Sequence, residues 1–149
     1  MPKSKINYDT TIIYKIVCKD LAITNIYIGH TTNFIKRKCS HKYFCNKLDN
    51  SHYNLLLYQT IRKNGGWNNW SMIEVETFSC KNKREAELRE RYWIENLNAD
   101  LNIYIPNRTQ QEREQTESRK LYQKNYREKN KDKIKEYMKE YFKKKYNIA

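Results

Sequence analysis

Glu90, Arg37, His41, Tyr14 and Tyr27 are the side chains whose types and placement could do chemistry. On a wheel turning 100° per residue, Ala86, Trp93, Ile94 and Leu97 share one face of a helical segment, and Glu90 falls in the middle of that face. An ionised carboxylate that faces inward is costly unless it is paired or binds a cation. Arg37 and His41 lie one helical turn apart on a face that also carries Phe34, Cys45 and Leu48. An inward guanidinium needs an anion, and its five fixed donors match the oxygens of a phosphate. Tyr14 and Tyr27 fall on two strand-like segments that can place both phenols at one point. Near a divalent cation and an arginine, a phenol can lose its proton or polarise a water. Gly29 suits a place where a ligand or another backbone comes close to a strand. Each residue also has a plainer reading. Glu90 can pair with an arginine, Arg37 can bridge a carboxylate (Glu90 among them), His41 can be a satisfied half-buried histidine, and strand tyrosines are commonly packing residues.

The elements that must position these groups follow from pattern. Thr11–Cys18 is β-branched, aromatic and alternating, and reads as a strand; residues 25–30 read as a second, joined by a hairpin loop over residues 19–24. Thr32 and Asn33 are helix-capping types before a periodic stretch over residues 34–48. A second helix is expected over residues 53–63, stopped by Asn64, Gly65 and Gly66. Trp70–Phe78 alternates and reads as a third strand, and Asn82 with Glu85 forms a capping pair for a helix over residues 83–98. The order β-β-α-α-β-α predicts an α+β fold, with a small three-stranded antiparallel sheet flanked by helices.

Pro106 ends the compact part, giving a domain over residues 1–106 and a tail over residues 107–149. The tail holds fourteen Lys/Arg against seven Asp/Glu, about half the excess behind the formal net charge of +13. A Tyr-x-x-x-Tyr unit at Tyr122 and Tyr126 recurs at Tyr137 and Tyr141. Helix propensity is good there, but the apolar stripe is thin, so the tail reads as basic and helical or partly disordered. Such a charge attracts polyanions, above all a phosphate backbone. No apolar run approaches the ~20 residues that span a bilayer, and the polar residues 1–8 lack the apolar core of a secretory signal. An intracellular protein, in the cytoplasm or nucleus of a host cell, is the expectation. The cysteines at 18, 39, 45 and 80 form no CxxC pair and read as reduced thiols. Cys39, His41 and Cys45 could approach one another on a helix, but a zinc site there lacks a fourth ligand.

Ile13-Tyr14 and Tyr27-Ile28-Gly29, followed in order by Arg37, His41, His52, Glu90 and Asn102, resemble the signature of the GIY-YIG nuclease family over residues 11–102. The likeness is to its homing-type branch from phages and large DNA viruses. Ile12 stands where that family usually has glycine. The resemblance implies a metal-dependent DNA endonuclease that hydrolyses phosphodiester bonds to 5′-phosphate and 3′-hydroxyl ends. Glu90 would hold one Mg²⁺ or Mn²⁺. Arg37 would stabilise charge on the phosphoryl oxygens. Tyr14 would activate a water, with Tyr27 positioning phosphate or water and His41 and His52 orienting the network or shuttling protons. Gly29 and Asn102 would be structural at the site.

Double-stranded DNA is the implied partner, with no small-molecule cofactor. Lys36, Lys38 and Lys42 on the first helix and Arg119, Lys120, Lys124 and Arg127 in the tail are the candidate DNA contacts. Three alternatives use the same residues: a non-catalytic nucleic-acid-binding protein on a nuclease fold, a repair or junction-resolving nuclease, and an oligomer assembled through the tail.

Overall fold

The computed structural model describes residues 6–146. The ends of the chain, including most of the polar N-terminal stretch read above, lie outside the described residues. Three strands, β1 (Thr11–Cys18), β2 (Ile26–Thr31) and β3 (Trp70–Phe78), form one antiparallel sheet in the order β2-β1-β3. Helices α1 (Phe34–Asn46), α2 (Leu56–Lys63) and α3 (Lys83–Asn96) flank it. This is the expected α+β architecture.

β1 lies in the middle of the sheet, and its alternation sorts the core. Tyr14, Ile16 and Cys18 pack with Leu57, Tyr58 and Ile61 of α2 and Cys45 of α1. Ile13, from the opposite face, packs with Ile28 of β2 and Ile94 of α3. The two clusters follow from the period of two along a strand. A bulge interrupts the β1–β3 pairing beside the candidate site: Ile13 is opposite Glu76, Tyr14 is opposite Glu74, and Val75 is the extra residue. Bulges re-aim side chains and sharpen local twist.

The helix ends have identifiable causes. Asn33 caps α1 by accepting from the Lys36 amide, and Asn82 caps α3 by accepting from Glu85. Gly65 and Gly66 stop α2 with φ of 88° and 74°. Two expectations need correction. Lys47 turns extended after Asn46, so Leu48 leaves the helix and is 71% exposed rather than on the inward face. Residues 51–54 form turns, fixed where the Asn50 side chain accepts the His52 amide, so α2 starts at Leu56 instead of residue 53.

Two devices fix α3 and the free edge of β2. The Arg89 guanidinium donates twice to the Glu76 carboxylate of β3, at 2.7 and 2.8 Å, and Trp93 Nε1 donates to the same carboxylate at 2.8 Å. These bonds hold the Glu76 carboxyl below its usual range. At the edge of β2, the Asn102 side chain accepts the Ile28 amide and donates to the Ile28 carbonyl, both at 2.8 Å. Asp100 accepts the Ile26 amide, and the Leu101 amide donates to the Ile26 carbonyl. The segment after α3 thus covers backbone groups that an edge strand would leave unpaired.

The chain divides into two compact units, Met1–Asn107 and Arg108–Ala149. The second contains α4 (Gln110–Glu114), α5 (Glu117–Lys129) and α6 (Lys131–Tyr146). The tyrosine repeat becomes two stacked pairs one helical turn apart, Tyr122 on Tyr126 and Tyr137 on Tyr141, with ring centroids 6.3 and 6.5 Å apart.

Gly29 faces Tyr14 across the β1–β2 ladder, and a Cβ there would sit 2.4 Å from the Tyr14 hydroxyl. Gly29→Ala should therefore destabilise the fold by about 1–3 kcal/mol, because the ring cannot retreat without breaking its hydrogen bonds. The urea midpoint of the variant measures this; an unchanged midpoint would mean that the ring has room to move.

Candidate active site

α1 presents Arg37 and His41 one turn apart toward the face of the sheet that carries Tyr14. Arg37 Nε donates to the Tyr14 hydroxyl at 3.0 Å. That hydroxyl is 2.8 Å from His41 Nε2, and His41 Nδ1 is 2.9 Å from the Tyr58 hydroxyl. With the His41 proton on Nδ1, Tyr14 accepts from Arg37 and donates to His41 Nε2 while Nδ1–H donates to Tyr58; with the proton on Nε2, the two His41 bonds reverse. Tyr14 is 0% exposed and His41 1%. Burial, and then the Arg37 charge, hold the His41 imidazolium down to about 3, so the ring is neutral at physiological pH. Burial pushes the Tyr14 and Tyr58 phenols well above their ordinary value, and Arg37 only partly offsets this. Burial alone would weaken Arg37 as a cation, but the surrounding phenols, Tyr14 first, outweigh it and the guanidinium stays charged.

Tyr27 packs beside this chain of bonds, with its ring centroid 6.4 Å from that of Tyr14 and 5.8 Å from His41. Its phenol is also pushed up, by burial first and then by the charge of Glu90. Glu90 sits on α3 with Ala86 and Ile94, the other buried residues of that helix, and is 9% exposed. Its carboxylate Oε2 is engaged by Nδ1 of His30 on β2. Glu90 is thus paired with a histidine, and Arg37 is held by a phenol instead of bridging to Glu90.

A cavity of about 330 Å³ joins the two sides. Tyr27, Arg37, His52, Tyr58, Glu90 and Asn102 all line it, and Leu55, Leu56, Ile103 and Tyr104 form apolar parts of its wall. Tyr14 and His41 lie behind this lining, in contact with it through Arg37 and Tyr58. His52 borders the cavity from the turn before α2, stacked on Phe44 with centroids 4.6 Å apart; its ring nitrogen meets Asn50 and Ser51, not the Tyr14 network. Asn102 spends both ends of its amide on Ile28. Gly29 lies beneath the Tyr14 ring.

Lys36, Lys38 and Lys42 are exposed on α1, and Arg119, Lys120, Lys124 and Arg127 are exposed on α5. Cys39 is exposed while Cys45 is buried, and no group of three or more His, Cys, Asp or Glu that could hold a metal occurs among the described residues. The Cys39–His41–Cys45 zinc idea is set aside on that geometry.

Two site neighbours escaped the sequence reading. Tyr58 was inside an apolar helical run, and its phase with Leu57 and Ile61 was the available sign that its hydroxyl points inward. His30 shares strand parity with Ile26 and Ile28, which pack toward α3, so parity was the sign that it meets Glu90.

The GIY-YIG catalytic domain family matches residues 10–104. The chain belongs to the GIY-YIG family, and its larger unit is a nuclease domain. No curated protein and no solved structure matches the chain. A nuclease domain implies a nucleic-acid substrate, and nucleases of this family generally use divalent metal ions. The residues present fit such an ion. The cavity offers one inward carboxylate, Glu90, and an arginine opposite. A hard cation that keeps most of its waters and takes one carboxylate plus phosphate oxygens needs no larger protein cage. No helix among the described residues is long and apolar enough to cross a membrane.

The buried neutral His41 sets a pH dependence. Its folded value is depressed below its unfolded value of about 6.5. The unfolded chain therefore binds the extra proton, and stability is complete above about pH 6.5 and falls as pH drops toward 3. The slope contributed is at most about 1.4 kcal/mol per pH unit. Urea unfolding at pH 7 and pH 5 should show a steeper loss for the wild type than for His41→Gln. Equal losses would mean that His41 is solvated.

Proposed function

We propose that the protein is a metal-dependent DNA endonuclease that hydrolyses phosphodiester bonds to leave 5′-phosphate and 3′-hydroxyl ends, as an enzyme of the homing or mobile-element kind. The observation that carries this reading is the single cavity in which Glu90 of α3, Arg37 of α1 and Tyr27 of β2 meet, from positions up to 63 residues apart in sequence.

Glu90 is the residue to hold Mg²⁺ or Mn²⁺. When bound, the ion polarises the scissile phosphate and stabilises the leaving 3′ oxygen. Arg37 faces the cavity with Nε tied to Tyr14 and a further bond shared with the Tyr27 phenol, which places its guanidinium to meet phosphoryl oxygens and stabilise charge that grows during displacement. Of the two phenols, Tyr27 borders the cavity, whereas Tyr14 is enclosed. That favours Tyr27 as the group that meets the attacking water, with Tyr14 holding Arg37 and passing its proton position to His41. The charge of Arg37 offsets part of the rise in the Tyr27 phenol, and its ionised form would be favoured further by a cation held by Glu90. Neutral His41 and Tyr58 behind it form a route along which a proton position can shift. His52, at the cavity wall, is placed to orient water or phosphate.

The second unit is the proposed DNA-holding segment. Arg108, Arg113 and Arg119 line one open cavity of about 580 Å³ together with Tyr122. Guanidinium groups beside exposed tyrosines suit phosphate contacts with base or sugar packing. Lys36, Lys38 and Lys42 would extend the same attraction along α1.

Two experiments test this. Supercoiled plasmid with Mg²⁺ or Mn²⁺ should be nicked or linearised by the wild type, while Arg37→Ala and Glu90→Gln should lose at least about a hundredfold in rate. DNA binding, measured alongside, should change little; both variants should remain folded at the assay temperature, Arg37→Ala with a lowered melting temperature because the buried Tyr14 hydroxyl loses a donor. Cleavage by Glu90→Gln at the wild-type rate would remove the catalytic reading. Replacing Arg119, Lys120, Lys124 and Arg127 together by Ala should weaken DNA binding and flatten the log–log salt dependence by up to about four units of slope. An unchanged slope would take α5 out of the interface.

A further inference from the structure

His30 is the nearest neighbour of Glu90, and nothing in the nuclease reading above gives it a task. It comes from β2, sixty residues earlier in the chain, and its Nδ1 contacts Glu90 Oε2. Both side chains are largely enclosed, at 17% and 11% exposed. Among the described residues, no donor meets the other oxygen of Glu90, Oε1.

We propose that His30 positions Glu90 for the cation: its Nδ1–H fixes Oε2 and leaves Oε1 as the oxygen that takes the metal. The inference rests on the reading of Glu90 as the cation-holding residue. A glutamate has three rotatable bonds, so one on a helix face can turn away from a cavity unless something outside the helix restrains it. The helix itself supplies no such partner for Glu90, whereas β2 does. The restraint is also directional. A histidine anchored on a strand in a sheet whose register is fixed by β1 moves little, so the carboxylate is presented to the cavity at one angle.

Hydrogen-bond partners of ligating carboxylates and histidines commonly control metal affinity by tenfold to a hundredfold. One free oxygen gives a single protein ligand to a hard cation, which keeps waters and sites for phosphate oxygens. In this arrangement His30 is a donor to the ligand and not itself a ligand, because its Nδ1 is engaged with Glu90 Oε2 and an ionised carboxylate can only accept.

The test is a calorimetric titration of the full-length protein with Mn²⁺, without DNA, comparing wild type with His30→Ala, His30→Asn and Glu90→Gln, each checked for folding by circular dichroism. His30→Ala should bind Mn²⁺ about tenfold to a hundredfold more weakly. His30→Asn should recover to within about threefold, since its amide N–H can occupy the place of Nδ1–H. Electron spin-echo spectra of the Mn²⁺-loaded wild type should show no directly coordinated nitrogen. Wild-type affinity in His30→Ala, with Glu90→Gln unable to bind, would overturn the positioning role while leaving Glu90 as the cation holder. A coordinated-nitrogen signal lost in His30→Ala would also overturn it, by making His30 a ligand. Unchanged affinity in Glu90→Gln would remove the underlying reading together with this one.

Discussion

The hydroxyl of Tyr14 is the point on which the site depends. It lies in the central strand, wholly enclosed, and it must both accept and donate a hydrogen bond. Arg37 Nε supplies the first, and His41 Nε2 is the acceptor within reach when its ring proton is on Nδ1. A buried polar network of this kind is costly when incomplete and rigid when every member is satisfied. Here each partner is committed in turn: His41 to Tyr58, and Tyr58 to the packing of α2 against the sheet. Satisfying one phenol therefore fixes the rotation of α1, the seating of α2 and the aim of the arginine that faces the cavity. Gly29 is part of the same constraint, since the ring lies where any larger side chain would begin.

The sheet then explains how groups from opposite faces reach one place. β2 is an edge strand, with α1 on one side of the sheet and α3 on the other. Side chains on alternate residues of β2 serve both: Tyr27 faces the α1 side and His30 meets Glu90 of α3. The edge itself is covered by residues 100–102, whose side chains and backbone satisfy Ile26 and Ile28. That cover keeps the edge from pairing with another chain and brings Asn102 and its neighbours to the rim of the cavity. The cavity therefore forms where one strand passes between two helices.

How far this was legible in the sequence depended on the kind of signal. β1 and β3 were readable to the residue because alternation and β-branching mark them as strands, although burial along β3 departs from that alternation, with Met72 buried and Ile73 43% exposed; the starts of α1 and α3 were readable because Asn33 and Asn82 cap them with side-chain hydrogen bonds. Glu90, Arg37 and His41 stood out because polar groups at apolar phases of a helix require partners. The partners themselves were another matter. Tyr58 and His30 touch residues 17 and 60 positions away, and such contacts depend on which faces the tertiary fold brings together. Leu48 was misplaced because the periodic pattern continues beyond the point where Lys47 turns extended. The bulge at Val75 leaves no mark in a short alternating strand, since it is a property of the pairing. The tail's repeat predicted the phase of its tyrosine pairs but not their function.

Crystals of the protein with Mn²⁺ and a DNA duplex carrying a non-hydrolysable linkage would test the central claim most directly, through the anomalous signal of the metal. The account predicts one Mn²⁺ on the Glu90 carboxylate, with an oxygen of the blocked phosphate shared between that ion and the Arg37 guanidinium and with the Tyr27 hydroxyl within hydrogen-bond reach of a water. A metal bound away from Glu90, or a phosphate out of reach of Arg37, would contradict it.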